Sequence, residues 1–193
     1  MLGLQLTTVQ AQKKAPVKFS VVQDDGQEDL FVLDLPPGFT IDPAQAYALY
    51  EQGKSSITVS YELDDDPGLT VKTAVTAKGI DLVEYSRQIP DQVLAGTSDV
   101  TISGKTVAAS VKSFNGFQAV KITYAYKHVI SGANVTETGN VVLYIIKVTG
   151  TSLINTEEHA FITRLKFDYQ QNGGDDPGKP DTQIMNTIKK GTD

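Results

Sequence analysis

The sequence contains no cysteine and no tryptophan, and histidine occurs only twice. Without cysteine the chain has no disulfide, no thiolate metal site and no cysteine nucleophile. The two histidines, His128 and His159, are distant in sequence and form no H-x-x-x-H motif. A histidine metal site or a nucleophile–base pair needs partners that converge in space, and this spacing predicts none. We therefore expect both to be solvated, His128 near a turn and His159 at the start of a helix.

Long apolar runs and clusters of basic residues are also missing. No stretch approaches the ~18 consecutive apolar residues of a membrane-spanning helix. The formal charge is −6, from 17 basic and 23 acidic residues, whereas a nucleic-acid-binding face must be cationic. The sequence predicts neither a transmembrane segment nor a nucleic-acid partner.

The motifs of common active sites are absent as well. The chain has no G-x-G-x-x-G, no P-loop and no G-x-S-x-G. A glycosidase would need paired carboxylates in a cleft, usually with aromatic sugar platforms, and tryptophan is lacking. We therefore predict no catalytic residue and no cofactor. An enzyme, such as a hydrolase, with an unrecognised site is the alternative.

The distribution of apolar and turn-forming residues divides the chain into three parts. Residues 1–16 form a leader, and residues 17–170 carry the hydrophobic pattern of a single α+β domain. Residues 171–193 begin with a Gly/Pro/Asp-rich breaker and predict a flexible C-terminal tail with one short helical turn around Ile184. A domain of this size buries roughly 70% of its unfolded surface, so it needs no metal or disulfide to fold.

The leader has two interpretations. Val9-Gln10-Ala11 has the −3/−1 spacing of a signal-peptidase site, which indicates a signal peptide whose start lies upstream. The basic segment that begins a signal peptide is missing, and the apolar stretch before Val9 is short, which favours a flexible tail. We expect an exported protein of the periplasm or cell surface, and the alternative is a cytoplasmic one.

Strand patterns dominate the central part. The strongest signal joins residues 107–114 to residues 117–126 through Asn115-Gly116, a pair that accepts the positive φ angles of a type I′ turn. Residues 141–148 are apolar on both faces, which predicts a central strand of an antiparallel meander. Shorter strands are predicted at residues 17–21, 30–33 and 57–61.

Three helices are predicted from their capping residues. Asp42-Pro43 suits the start of a helix over residues 44–52. Asp81 and Glu84 form a capping box for a helix over residues 82–94, which Pro90 should kink or split.

The third helix is ambiguous. Asn155-Thr156-Glu157-Glu158 is a second capping box, which favours a helix over residues 156–167. Residues 161–169 nevertheless alternate between apolar and polar side chains, as a strand does. We predict the helix because the cap is specific.

The order of these parts resembles a known family. Leu35-Pro36-Pro37-Gly38-Phe39 is similar to the L-P-x-G-aromatic corner near the start of PsbP-like and DcrB-like domains. The capped helix, a strand and turn at residues 100–104 and the meander with Gly116-Phe117-Gln118-Ala119 follow in the family's order. The chain departs from the family at the closing serine–aromatic pair, which has no clear match here, and Lys166-Phe167 stands at that place. Over residues 17–170 the resemblance implies an antiparallel β-sheet flanked by helices, an α/β/α sandwich. It also implies a non-catalytic, often lipid-anchored or exported accessory protein.

Two acidic turns are the weak candidates for a metal site. Their clustered carboxylates are hard oxygen ligands of the kind that Ca²⁺ prefers, but neither turn has EF-hand spacing. The alternative is a pair of solvated turns whose charges keep the sheet edges soluble. The candidate ligands are Asp24, Asp25, Glu28, Asp29, Asp64, Asp65 and Asp66.

The tyrosines are the other residues of interest. Tyr124 and Tyr126 share one face of a predicted strand, where core packing is the default and a tyrosine-lined groove on an exposed sheet face is the alternative. We predict a non-catalytic accessory or binding domain that acts through a sheet face or groove on an unknown protein or small-molecule partner. A structural or adhesin-type assembly module is a further alternative.

Overall fold

The computed structural model of the chain describes residues 15–22, 29–42, 47–64, 80–130, 132–133, 135–151, 158–171 and 178–191. Within these ranges the chain forms eleven strands and three short helices. The strands are β1 (Val17–Val22), β2 (Asp29–Leu35), β3 (Thr40–Asp42), β4 (Tyr47–Gln52), β5 (Ser55–Asp64), β6 (Val100–Val107), β7 (Lys112–Phe114), β8 (Phe117–Ile130), β9 (Val135–Thr151), β10 (Glu158–Gln171) and β11 (Lys189–Lys190). The helices are α1 (Leu82–Gln88), α2 (Asp91–Ala95) and α3 (Asp181–Met185).

Most strands belong to one antiparallel sheet with the order β3-β4-β5-β10-β9-β8-β6, in which β7 pairs with β8 beside β6. Its centre is built from the three longest strands, β8, β9 and β10, of 14, 17 and 14 residues. A second, small sheet has the order β1-β2-β11. The fold is therefore dominated by antiparallel β-sheet.

Each face of the large sheet is covered by a different layer. On one face the small sheet and α3 enclose a core that includes Phe19, Phe31 and Phe167, all 1% exposed or less. On the other face α1 packs Leu82 and Ile89 against apolar residues of β8 and β9. The layers are, in order, the small sheet, the large sheet and the helices α1 and α2.

The predicted α/β/α sandwich with flanking helices is wrong. A helical layer covers only one face, where α1 has seven residues and α2 has five, and the opposite face carries just the five-residue α3 among the described residues. The opposite face is covered mainly by β1, β2 and β11. The sequence contains too few helix-period segments for two helical layers, because the segments predicted as the first and third helices are strands.

Two predicted helices are replaced by strands. Residues 47–52 form β4, which pairs with both β3 and β5, and residues 43–46 lie outside the described part. Residues 158–171 form β10, which pairs along its length with β5 and β9. In each case a local cap signal competed with long-range strand pairing, and the pairing also buries an apolar face. The alternation of residues 161–169 was the correct signal.

Other predictions are confirmed. Asn115 and Gly116 have φ angles of +47° and +92°, which are those of the predicted turn. The predicted strands at residues 17–21 and 30–33 are present as β1 and β2, and those at residues 57–61 and 141–148 lie in β5 and β9. Asp81 caps α1 by accepting hydrogen bonds from the backbone N–H groups of residues 83 and 84. The helix is split at Pro90, as predicted.

Residues 178–191, expected in a flexible tail, are packed into the core instead. The predicted turn around Ile184 is α3, and Ile184 and Ile188 are no more than 1% exposed. The Asn115 side-chain amide donates to the carbonyls of Asn186 and Ile188, at 3.0 and 2.9 Å. The hairpin turn thus holds the segment that supplies β11 to the small sheet.

Candidate functional site

A groove of about 190 Å³ opens on the helix-covered face of the large sheet, where α2 ends. Leu94 and Ala95 form its helical wall, and the ends of β6, β8, β9 and β10 form its floor. The helices α1 and α2 are too short to cover this end of the sheet, so polar side chains replace the apolar core there. The polar lining consists of Tyr124, Tyr126, His128, Glu137, Lys166, Asp168 and Gln170.

Strand register brings these side chains together. Alternate residues of a strand face the same side of a sheet, and β8 and β10 each flank β9. Gly139 of β9 pairs with Tyr126 on one side and with Gln170 on the other. Val141 likewise pairs with Tyr124 and with Asp168. The middle of the groove floor is therefore formed by two adjacent rows of one sheet face, held by backbone ladders.

Asp168 is the central polar residue of the groove. Its side chain is 18% exposed. The Tyr126 hydroxyl donates to Asp168 Oδ1 at 3.1 Å, and Gln170 Nε2 donates to the Tyr126 hydroxyl at 2.9 Å. Lys166 Nζ lies 3.6 Å from Asp168 Oδ2. Burial raises the pKa of Asp168, against the opposing charge of Lys166 and the hydrogen bond from Tyr126.

The position of Tyr126 depends on a glycine. Tyr126 belongs to β8, but its hydroxyl crosses β9 to reach Asp168 and Gln170 on β10. The ring lies over Gly139, where an added Cβ atom would be 2.6 Å from Tyr126 Cε1 and 2.8 Å from Cζ. Only glycine leaves this path open, which makes Gly139 part of the site although it has no side chain.

Replacing Gly139 by alanine is expected to displace the Tyr126 ring and break its hydrogen bond to Asp168. We expect a loss of ~1–3 kcal/mol in the free energy of unfolding, from overpacking and the lost hydrogen bond. Urea unfolding monitored by circular dichroism measures it. In a Tyr126→Ala background the ring is absent, so Gly139→Ala should cost little. Equal costs in both backgrounds would show that Gly139 does not act through Tyr126.

The tyrosine hydroxyls lie in a negative field. Burial, followed by the charges of Asp168 and Glu62, raises the pKa of Tyr124. Burial and the charge of Asp168 raise the pKa of Tyr126. The Tyr124 hydroxyl donates to the carbonyl of Leu94 at 3.3 Å, which fixes the end of α2 above the groove.

His128 lies at the rim between two carboxylates. Its Nε2 is 3.0 Å from Asp99 Oδ2, and its Nδ1 is 3.6 Å from Glu137 Oε2. Hydrogen bonds from Thr97 and then from His128 lower the pKa of Asp99. The His128 side chain is 29% exposed. His128, which we predicted to be solvated, is therefore in contact with two carboxylates at the rim of the groove. His159 lies in β10 rather than at the start of a helix.

The acidic turns do not form a site in the described part of the chain. Asp24, Asp25, Glu28, Asp65 and Asp66 lie outside the described residues. Asp29 begins β2 of the small sheet and Asp64 ends β5 of the large one. Within the described ranges no group of three His, Cys, Asp or Glu side chains is placed to hold a metal ion. Calcium binding by the turns stays a prediction.

The sequence indicated part of the groove. Tyr124 and Tyr126 were noted as possible groove residues, with core packing as the default, and the structure places both in the groove lining. Lys166 was missed because residues 156–167 were assigned to a helix, and Asp168 and Gln170 were missed because no strand was predicted to continue past that helix. The signal was present, since these polar residues alternate with buried ones along β10.

The chain matches no known protein-family model, and no curated protein is significantly similar to it. The resemblance to PsbP-like and DcrB-like domains therefore stays a prediction, and the helical sandwich that it implied is wrong.

Proposed function

We propose that this protein is a non-catalytic binding domain that holds a small ligand, or a side chain of a partner protein, in the groove beside α2. The observation that carries the proposal is Asp168, a carboxylate at the groove floor that is only 18% exposed. Burying a carboxylate costs folding free energy, and its raised pKa reflects that cost. A cavity with convergent polar groups and a perturbed ionisable residue is the usual form of a binding site.

The groove is also built rigidly enough to recognise a ligand. Its floor consists of central strands, and the side chains of Tyr126, Asp168 and Gln170 are joined by hydrogen bonds. Side chains held in this way need little ordering when a ligand binds, which preserves affinity. A volume of about 190 Å³ fits a small molecule or a single side chain rather than a large cofactor.

Fragment screening by NMR tests the binding proposal. We expect compounds from a library of mixed charge to shift the backbone amide signals of Tyr126, Asp168 and Gln170. Ala95→Phe should abolish these shifts because Ala95 lines the groove. Gln92→Phe, on the exposed side of the same helix, is the control and should retain them. A library that leaves the groove signals unchanged, or that binds elsewhere, contradicts the proposal.

A hydrolase is the second candidate, and one observation favours it. His128 lies 3.0 Å from Asp99 at the groove rim, in the arrangement of a general base oriented by a carboxylate. Within the described ranges, however, no residue that lines the groove has a serine or threonine hydroxyl or a cysteine thiol to act as a nucleophile. We expect a panel of chromogenic esters, phosphoesters and glycosides to show no turnover. Turnover that His128→Asn removes would replace the binding proposal with an enzymatic one.

Export is part of the proposal, and its support is the Val9-Gln10-Ala11 spacing. Among the described residues no helix has the length and apolar character needed to cross a bilayer. Cell fractionation and the mass of the mature chain test the location. An unprocessed chain found only in the cytoplasm would contradict export without affecting the groove.

A further inference from the structure

We infer that the groove selects an organic cation, namely an alkylammonium group carried by a small amine or by a lysine side chain. This inference rests on the proposed binding function and specifies its ligand. It depends on three features of the groove: an incompletely paired carboxylate, an excess of negative charge and the aromatic rings of two tyrosines.

The carboxylate of Asp168 has room for a closer cation. Its Oδ1 accepts the Tyr126 hydroxyl at 3.1 Å. Its Oδ2 lies 3.6 Å from Lys166 Nζ, whereas a charge-assisted hydrogen bond from an ammonium measures about 2.7–2.9 Å. The ion pair between Lys166 and Asp168 is therefore loose, and an ammonium that enters the groove can bind Asp168 Oδ2 more closely.

The other charges of the groove favour a cation as well. Glu137 and Asp168 both line it, and Lys166 is the only lysine or arginine among the described residues that does. His128 at the rim lies 3.0 Å from Asp99 and 3.6 Å from Glu137. The two carboxylates in the lining carry more charge than the single ammonium of Lys166. The same negative field acts on the hydroxyls of Tyr124 and Tyr126.

The tyrosine rings complete the chemistry of the site. Tyr124 lies in the same row of the sheet as Asp168, Tyr126 lies in the adjacent row, and both line the groove. An aromatic ring attracts a nearby ammonium through its quadrupole, and alkyl carbons gain from contact with the same ring. A carboxylate beside two rings suits an alkylammonium better than an inorganic cation, which would prefer several oxygen ligands.

Lys166 competes with a ligand ammonium for the carboxylate of Asp168. Its side chain is 39% exposed, so its ammonium can leave the carboxylate without being buried. Lys166 also lines the neighbouring cavity of about 110 Å³, and Glu62 lines that cavity too. A ligand ammonium can therefore replace Lys166 at Asp168 while Lys166 turns toward Glu62.

The test compares probes of similar shape and different charge. Butylammonium, butanol and butyrate are titrated against the ¹⁵N-labelled full chain, and the amide shifts of Tyr126, Asp168 and Gln170 give the affinities. We expect butylammonium to bind at least ~10-fold more tightly than butyrate, and added salt to weaken its binding. Nα-acetyl-lysine methylamide is titrated in parallel, and the tighter of the two ammonium probes indicates a free amine or a lysine side chain as the ligand.

Two variants should change the affinity in opposite directions. Asp168→Asn should weaken butylammonium binding ~10-fold or more, whereas Lys166→Gln should strengthen it ~3-fold or more by removing the competitor. Glu84→Gln is the control, since Glu84 lies on α1, is 54% exposed and lines none of the groove, and it should leave the affinity unchanged. Asp168→Asn should unfold at a urea concentration no lower than wild type, because the buried charge is removed.

The outcomes separate this inference from the binding function. Butyrate or butanol binding as tightly as butylammonium in the groove would overturn the cation preference and leave the binding function standing. Unchanged affinity in a folded Asp168→Asn variant would do the same. If neither these probes nor the fragment library shifts the groove signals, both the inference and the binding function are overturned.

Discussion

Replacing Asp181 by asparagine is expected to lower the free energy of unfolding by ~2–4 kcal/mol. Asp181 is 3% exposed and anchors α3 between the two sheets. Its carboxylate accepts hydrogen bonds from the hydroxyls of Tyr144 and Tyr169 and from Lys121 Nζ, at 2.8, 3.2 and 2.8 Å. An amide turns one acceptor into a donor and leaves Lys121 without its counterion. The loss is below that of a fully buried pair because Lys121 is 37% exposed and water screens its charge.

The effect of this substitution should depend on pH. Burial by itself would raise the pKa of Asp181, but hydrogen bonds from Lys121 and Tyr144 and the charge of Lys121 lower it below its ordinary value. A lowered folded-state pKa stabilises the protein above the unfolded-state pKa of about 3.9, and this contribution is lost as the pH falls through the folded-state value. The wild type and Asp181→Asn should therefore differ most near pH 7 and converge in strong acid.

Urea titrations at several pH values measure this convergence. Asp91→Asn is a matched control, because Asp91 pairs with Lys105 at 3.1 Å but is 60% exposed. The control should change stability by no more than ~0.5 kcal/mol at neutral pH. A cost for Asp181→Asn that is equally small would show that the carboxylate does not anchor the C-terminal segment.

Replacing Phe167 by alanine should have the largest effect, a loss of ~3–5 kcal/mol in the free energy of unfolding. The Phe167 side chain is fully buried at the centre of β10, where its backbone neighbours are Val59 and Val142. Its ring meets that of Tyr144 edge-on, with centroids 5.9 Å apart. Truncation removes this contact and leaves a cavity between the two sheets that central strands cannot close.

Comparison with Phe167→Leu separates lost volume from lost hydrophobicity, since leucine fills most of the space and should cost less. Val129→Ala is the exposed control, with Val129 47% exposed, and should change stability by less than ~0.5 kcal/mol. Because Tyr144 contacts both Phe167 and Asp181, the costs of Phe167→Ala and Asp181→Asn should not add. Strictly additive costs would show that the two positions are uncoupled.

The sequence predicted correctly those parts of the fold that depend on a few neighbouring residues. The turn at Asn115 requires positive φ, the cap at Asp81 satisfies nearby N–H groups, and Pro90 cannot continue a helix, so each was correct from a few residues. The strands β4 and β10 were misassigned because their stability comes from partners distant in sequence. Tyr47, for example, pairs with Ser60, and Tyr169 pairs with both Asn140 and Ile57.

The candidate site was harder to predict for a related reason. The groove depends on the register of three strands, and a shift of one residue would turn Asp168 to the opposite face of the sheet. The role of Gly139 is visible only once Tyr126 is known to cross it. The sequence could therefore identify aromatic groove residues but not the carboxylate and the lysine that face them.

The docking of residues 178–191 has a consequence for how the protein is made. The backbone of Asp34 is hydrogen-bonded to Thr187, 153 positions further along the chain, and the apolar face of β2 is closed only when Ile184 and Ile188 arrive. During synthesis β1 and β2 therefore stay partly uncovered until residues 178–191 have left the ribosome. Contacts this distant in sequence slow folding, and the apolar surface of β2 is exposed to aggregation until they form.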